Sequence, residues 1–334
     1  MKKIYLLLSV FVFIFTSCDT DFDVNANWEE VTVVYGLLDS GIDEETQKIK
    51  ISKAFLGKKS AEQMAQYADS INFDEGELDV KVIRIKNNGI TDTIDLEEVN
   101  TIRDSGDFND SIMVYSFSKD GFLNSNSDYE LLIRNNITGN QVSSRTNIIS
   151  DFDFDMGAGF PFGFIETWIP GNPSATEFSP TSVYWGNSTD NGVQYQIDLI
   201  FNYQEDNISL DNPNPIYKSL TYTTSVLENT SQFEFEGEKF FNFLKDALVQ
   251  DPLIERKFIE IDLVMTVGSE DLKNYRIINE EITGIVQERP QFTNINNGIG
   301  LFSSRFTKTR KGFGIADRTI DYLISIDGLD RNFK

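Results

Sequence analysis

Between Glu30 and Ile148 the chain alternates apolar and polar positions with a period of two, broken by short clusters of turn-forming residues. Such a period places successive side chains on opposite faces of a strand. Glu30–Gly36 is β-branched and ends at a glycine, and Leu37–Asp43 reads as a turn-rich connection. Gln47–Lys53 sets Ile49 and Ile51 on one face and lysines on the other. Leu78–Ile85 alternates again, and Asn87–Gly89 forms a hairpin turn into Thr91–Leu96. Met113–Phe117, Tyr129–Arg134 and Gln141–Ile148 predict three more strands, the last two joined as a hairpin. Ser60–Ala68, rich in helix formers, predicts a short helix between strands.

The second half mixes both periods. Strands are predicted at Val183–Trp185, Gln194–Tyr203, Ser219–Thr224 and Lys257–Val267, with Ile320–Ile326 closing the sheet. Phe240, Phe241, Leu244 and Leu248 fall along one face of a helix over Gly237–Val249. A second amphipathic helix runs to Asn279 from Ser269 as its N-cap. Residues 151–182, rich in glycine, phenylalanine and proline, mark the boundary between halves. Seven or so short strands in the first half suit a sandwich, and the Tyr129–Ile133 strand resembles late strands of immunoglobulin-like and fibronectin-like domains. The expected fold is mainly β: an immunoglobulin-like β-sandwich over 28–150, then a β-rich domain over 151–334 with two short helices.

Residues 1–17 carry Lys2 and Lys3 followed by an apolar run of signal-peptide length, too short to span a bilayer. Phe15–Cys18 resembles the bacterial lipobox, with Phe15 where leucine is commonest. That resemblance implies cleavage before Cys18 and acylation of its thiol and amine. Each buried methylene contributes about 0.8 kcal/mol, so two or three chains anchor a protein firmly. Residues 18–27 then form an acidic tether. Asp19, Asp21 and Asp23 resemble the signal that sends Bacteroidota lipoproteins to the outer face of the outer membrane.

Charge and composition narrow the chemistry. With 53 acidic and 29 basic residues the net charge is −24, a surface that repels nucleic-acid phosphates. The chain has no histidine. That excludes Ser-His-Asp triads, Cys-His pairs and histidine-based zinc sites. Cys18, the sole cysteine, is consumed by lipid, so disulfides and thiolate sites are excluded too. Carboxylate chemistry stays open, as in a glycosidase, and Glu166 beside Trp168 is the most suggestive single acid. Its second carboxylate is not evident from sequence, and the chain is read as non-enzymatic, with no catalytic residue assigned.

Binding candidates remain. Trp168 and Trp185 would suit stacking against a glycan, whereas Phe160, Phe162 and Phe164 are read as core or domain interface. No metal ligand or cofactor is assigned. The aspartates in two loops, Asp39–Glu45 and Asp104–Asp110, could supply several oxygens to a structural calcium ion, but neither matches an EF-hand. Asp151, Asp153 and Asp155 share one face opposite Phe152 and Phe154, a pattern of a half-buried strand with a solvated side. Asp69–Ile71, Asp92–Ile94 and Asp110–Ile112 match a Bacteroidota O-glycosylation sequon, naming Ser70, Thr93 and Ser111 as acceptors.

Three stretches carry a wider resemblance: Val33–Asp39 (VVYGLLD), Ile51–Gly57 (ISKAFLG) and Phe292–Ser304 (FTNINNGIGLFSS). In these the chain resembles an uncharacterised family of Bacteroidota outer-membrane lipoproteins often found beside TonB-dependent receptors. The resemblance implies a location and a genomic neighbourhood, and no reaction; a TonB-dependent receptor is a candidate partner.

Replacing Cys18 with serine is expected to shift the protein from the membrane to the soluble fraction. Fractionation, with intact-mass measurement of the acyl chains, reads this directly.

Overall fold

The computed structural model describes residues 31–42, 45–54, 71–86, 89, 91–102, 111–157, 159–186, 191–209, 214–279 and 291–334. The candidate residues Cys18, Ser70, Asp43, Glu44, Asp104, Asp107 and Asp110 lie outside these, as does the helix expected over 60–68.

The chain is mainly β. Its first eight strands are β1 (Val31–Asp39), β2 (Thr46–Ala54), β3 (Leu78–Lys86), β4 (Thr91–Asp95), β5 (Glu97–Ile102), β6 (Ser111–Ser118), β7 (Ser127–Asn135) and β8 (Gln141–Asn147). There follow β9 (Ile165–Thr167), β10 (Glu177–Phe178), β11 (Pro180–Tyr184), β12 (Gln194–Asn207), β13 (Ile216–Thr223), β14 (Leu227–Glu228) and β15 (Gln232–Glu236). Helix α1 (Gly237–Ala247), β16 (Ile254–Gly268), α2 (Glu270–Asn279), β17 (Ile299–Phe313) and α3 (Asp317–Ile324) complete the described elements.

One long sheet runs through both halves of the chain, in the order β13-β12-β16-β17-β1-β2-β6-β5, with β14 pairing β12. A four-stranded sheet, β4-β3-β7-β8, lies over its β1-β2-β6-β5 end. Val34, Ile49, Ile51, Tyr115 and Phe117 from the long sheet meet Val80, Val82, Leu131, Ile133 and Val142 from the smaller one, making a sandwich. Here the strand period predicted from sequence is realised, with Ile49 and Ile51 buried. The Tyr129 hydroxyl donates to the Phe122 carbonyl at 2.7 Å and accepts from the Asn124 amide at the same distance.

The second core lies under the β12-β16-β17 end. Phenylalanines dominate it: Phe162, Phe164, Phe201, Phe235, Phe240, Phe241 and Phe313 are all buried. The α1 helix delivers Phe240, Phe241 and Leu244 from one face, as its spacing predicts. Phe240 stacks on Phe164 with centroids 4.1 Å apart and planes 21° from parallel. Gly237 permits this, because a Cβ there would stand 2.2 Å from the Phe164 carbonyl oxygen.

The two cores are not confined to the two halves of the sequence. Ile295 and Phe302, from the C-terminal half, pack into the N-terminal core. The parallel pairing of β1 with β17 makes this join, from Val33 opposite Ile299 to Asp39 opposite Arg305. Gly300 takes φ +112 there, and a Cβ would lie 2.0 Å from the Val34 carbonyl oxygen. Three stretches that look unrelated in sequence, Val33–Asp39, Ile51–Ala54 and Ile299–Ser304, are thus neighbours in one sheet.

Two sequence expectations are corrected. The first strand continues to Asp39 instead of ending at Gly36, because its pairing with β17 extends that far. Ile320–Ile326 is not a closing strand: Asp317–Ile324 is helical. The buried positions are Thr319, Tyr322 and Leu323, at helical spacing, while Ile324 and Ile326 are exposed.

Asp39 is the polar centre of the join. Its Oδ1 accepts from the Gly41, Ile42 and Thr307 amides, and its Oδ2 from Arg305 Nε at 3.0 Å and Thr307 Oγ1 at 2.7 Å. Asp39→Ala strands several of these donors and is expected to cost about 3 kcal/mol in denaturant unfolding.

A second buried carboxylate, Glu205 on β12, bonds Arg256 Nε at 2.9 Å and also Lys218. Burial opposes its charge, but hydrogen bonds and charges from Lys218 and Arg256 prevail and hold its pKa below the ordinary 4.5. A depressed pKa stabilises the fold above 4.5 and loses that contribution as pH falls through the folded value. Glu205→Gln should therefore flatten the fall in melting temperature below about pH 4.5, relative to wild type.

Candidate functional site

The long sheet has a second face, turned away from both cores. On β12 the odd positions Ile197, Leu199, Phe201 and Tyr203 are buried in the core. The even positions Gln196, Asp198, Ile200, Asn202 and Gln204, all polar but Ile200, face the other way and are only partly buried. Register places Thr266 opposite Gln196, Gly268 opposite Gln194, and Arg305 opposite Gly268.

Helix α2 lies across this polar face. Its start is held by Ser269, whose hydroxyl pairs with that of Ser303, and by Asn294. The Asn294 amide nitrogen donates to Asp271 Oδ2 at 2.9 Å and to the Phe302 carbonyl at 2.7 Å. Glu270 and Asp271 in the first turn and Arg276 in the last suit the helix dipole. No α2 side chain is fully buried, so the helix stands off the sheet.

The gap beneath it is a cleft of about 460 Å³. Leu37, Thr266, Gly268 and Arg305 line its floor, and Leu272, Tyr275 and Arg276 its helical wall. Its size falls within the range of small-molecule sites. Tyr275 meets Tyr35 edge-on at 6.1 Å. Burial, followed by hydrogen-bond and charge contact with the Tyr35 hydroxyl, pushes the Tyr275 pKa up to about 12, so it stays neutral at physiological pH. Glu228 bonds Lys273 at 2.9 Å and lies 3.6 Å from Arg276, whose Nε donates to Gln194 at 3.1 Å.

None of the residues expected from sequence lines this cleft. Trp185, expected to stack against a glycan, is 3% exposed, with its ring 5.4 Å from that of Tyr195. Strand alternation turns Thr181, Val183 and Trp185 inward together. Trp168 is half-buried, edge-on to Tyr322 at 6.2 Å. Phe162 and Phe164 are core, as expected, and Phe160 is 38% exposed.

Glu166 is exposed on β9. Asp151, Asp153 and Asp155 are exposed while Phe152 and Phe154 are buried, with Asp151 paired to Lys308 at 2.9 Å. Thr93 is exposed on β4, and Ser111 opens β6. Asp39 is buried and turned to protein donors. Among the described residues no group of three or more acidic residues is placed to hold a metal ion, and no helix is long and apolar enough to cross a membrane.

The cleft went unrecognised because its residues form no motif. One signal was available: the polar alternate positions of β12, which mark an open sheet face. Comparison with known protein families and with curated proteins finds no match to this chain.

Proposed function

We propose that the chain is a non-enzymatic, lipid-anchored protein of the outer membrane, exposed at the cell surface, that binds a small ligand. In this reading it serves as accessory to a TonB-dependent transporter. The cleft under α2 carries the proposal: a cavity of ligand size, floored by polar and apolar side chains from four strands of the long sheet. The lipobox-like Cys18 and the acidic tether support the anchor and the location. The chain lacks histidine, and Glu166 is exposed on a short strand, both of which favour binding over hydrolysis.

We also read the N-terminal sandwich as immunoglobulin-like. The β1-β2-β6-β5 and β4-β3-β7-β8 orders support this, as does the Tyr129 hydroxyl bonded back to Phe122.

Purification of the acylated protein from outer membranes tests the role. The expected outcome is a TonB-dependent receptor in near-equal amount, with a small-molecule adduct by native mass spectrometry that Leu272→Trp removes. Recovery of the protein alone and without adduct would refute it.

A further inference from the structure

The charges around the cleft are unlike those of the chain. The protein carries a net charge of −24, yet the only charged residues lining the cleft, among those described, are Arg276 and Arg305. Arg305 is the more available. Its side chain is 40% exposed, and its only side-chain hydrogen bond among the described residues runs from Nε to Asp39 Oδ2. Among the described residues its two terminal amino groups have no hydrogen-bond partner, which leaves the outer fork of the guanidinium for a ligand. A planar fork of this kind matches a carboxylate with two parallel hydrogen bonds.

Gln194, Gln196, Thr266 and Asn279 add neutral polar groups, and the remaining side chains of the cleft are largely apolar. Leu37, Val226 and Leu272 offer aliphatic surface and Tyr275 a ring held neutral. Asp39 stands behind Arg305 and Glu228 behind Arg276. These acids offset much of the positive charge, which suits a monoanion better than a phosphate dianion. We infer that the cleft takes a small amphiphile: a monocarboxylate whose head meets Arg305 and whose apolar body lies against Leu37, Val226, Leu272 and Tyr275. The inference rests on the reading of the cleft as a ligand site.

Full-length acylated protein in nanodiscs, titrated with 4-phenylbutyrate, 4-phenylbutan-1-ol and 4-phenylbutyl phosphate by saturation-transfer NMR, tests it. Empty nanodiscs correct for partition into lipid. The carboxylate is expected to bind at least tenfold tighter than the alcohol and tighter than the phosphate. Arg305→Gln should remove the gap between carboxylate and alcohol, and Leu272→Trp should abolish binding of both. If loss of the Asp39 contact unfolds Arg305→Gln, Arg305→Lys keeps a charge without the fork and should narrow the gap.

Equal binding of carboxylate and alcohol, both lost in Leu272→Trp, would overturn the carboxylate inference and leave the cleft as a site. Preference for the phosphate would overturn it likewise. Absence of binding by all three probes, or binding untouched by Leu272→Trp, would overturn the cleft reading and the inference with it.

Discussion

Asp39 lies at the end of β1, beneath Arg305 and beside Thr307, where strands from opposite ends of the chain run parallel. A carboxylate removed from water must have its oxygens met by donors, and here five donors from two distant segments meet them. The pairing they secure turns two local β-assemblies into one sheet. It also sets the position of Arg305, and so couples the stability of the join to the shape of the cleft. Parallel strands need a long connection, and this one spans most of the chain.

The cores on the two stretches of this sheet use different means. The N-terminal sandwich interdigitates mainly aliphatic side chains from two facing sheets, with a few rings such as Tyr115, Phe117 and Tyr129 among them. The C-terminal core is closed by rings carried on loop, strand and helix, with Phe164, Phe240 and Phe241 in mutual contact and Tyr322 against Phe241. Aromatic rings bury large areas per residue, which suits a layer built from short elements. The protein holds both cores without disulfides, relying on packing and on buried ion pairs such as Glu205–Arg256.

Away from the cores the long sheet keeps a polar face, only part of which α2 covers. A helix with no fully buried side chain contributes little packing there. Its anchoring through Ser269, Asn294 and Lys273 holds it over the sheet by hydrogen bonds and ion pairs. The space left between is therefore a consequence of how the helix is attached, and it gathers side chains from β1, β12, β16, β17 and α2.

Local pattern decided much of this protein. Alternation identified most strands, as at Ile49 and Ile51, and the spacing of Phe240, Phe241 and Leu244 identified α1, because these periods reflect which face is buried. The strand expected over Ile320–Ile326 is largely helix instead, since the buried positions there, Thr319, Tyr322 and Leu323, follow helical spacing, and Ile324 and Ile326 are exposed. Composition alone excluded histidine chemistry. Tertiary structure decided the rest. Only the meeting of β1 with β17 placed Asp39 against Arg305, and only the stand-off of α2 brought Leu37, Leu272 and Arg305 around one cavity. Those residues are far apart in the chain and share no motif, since their proximity comes from long-range pairing and not from any local period.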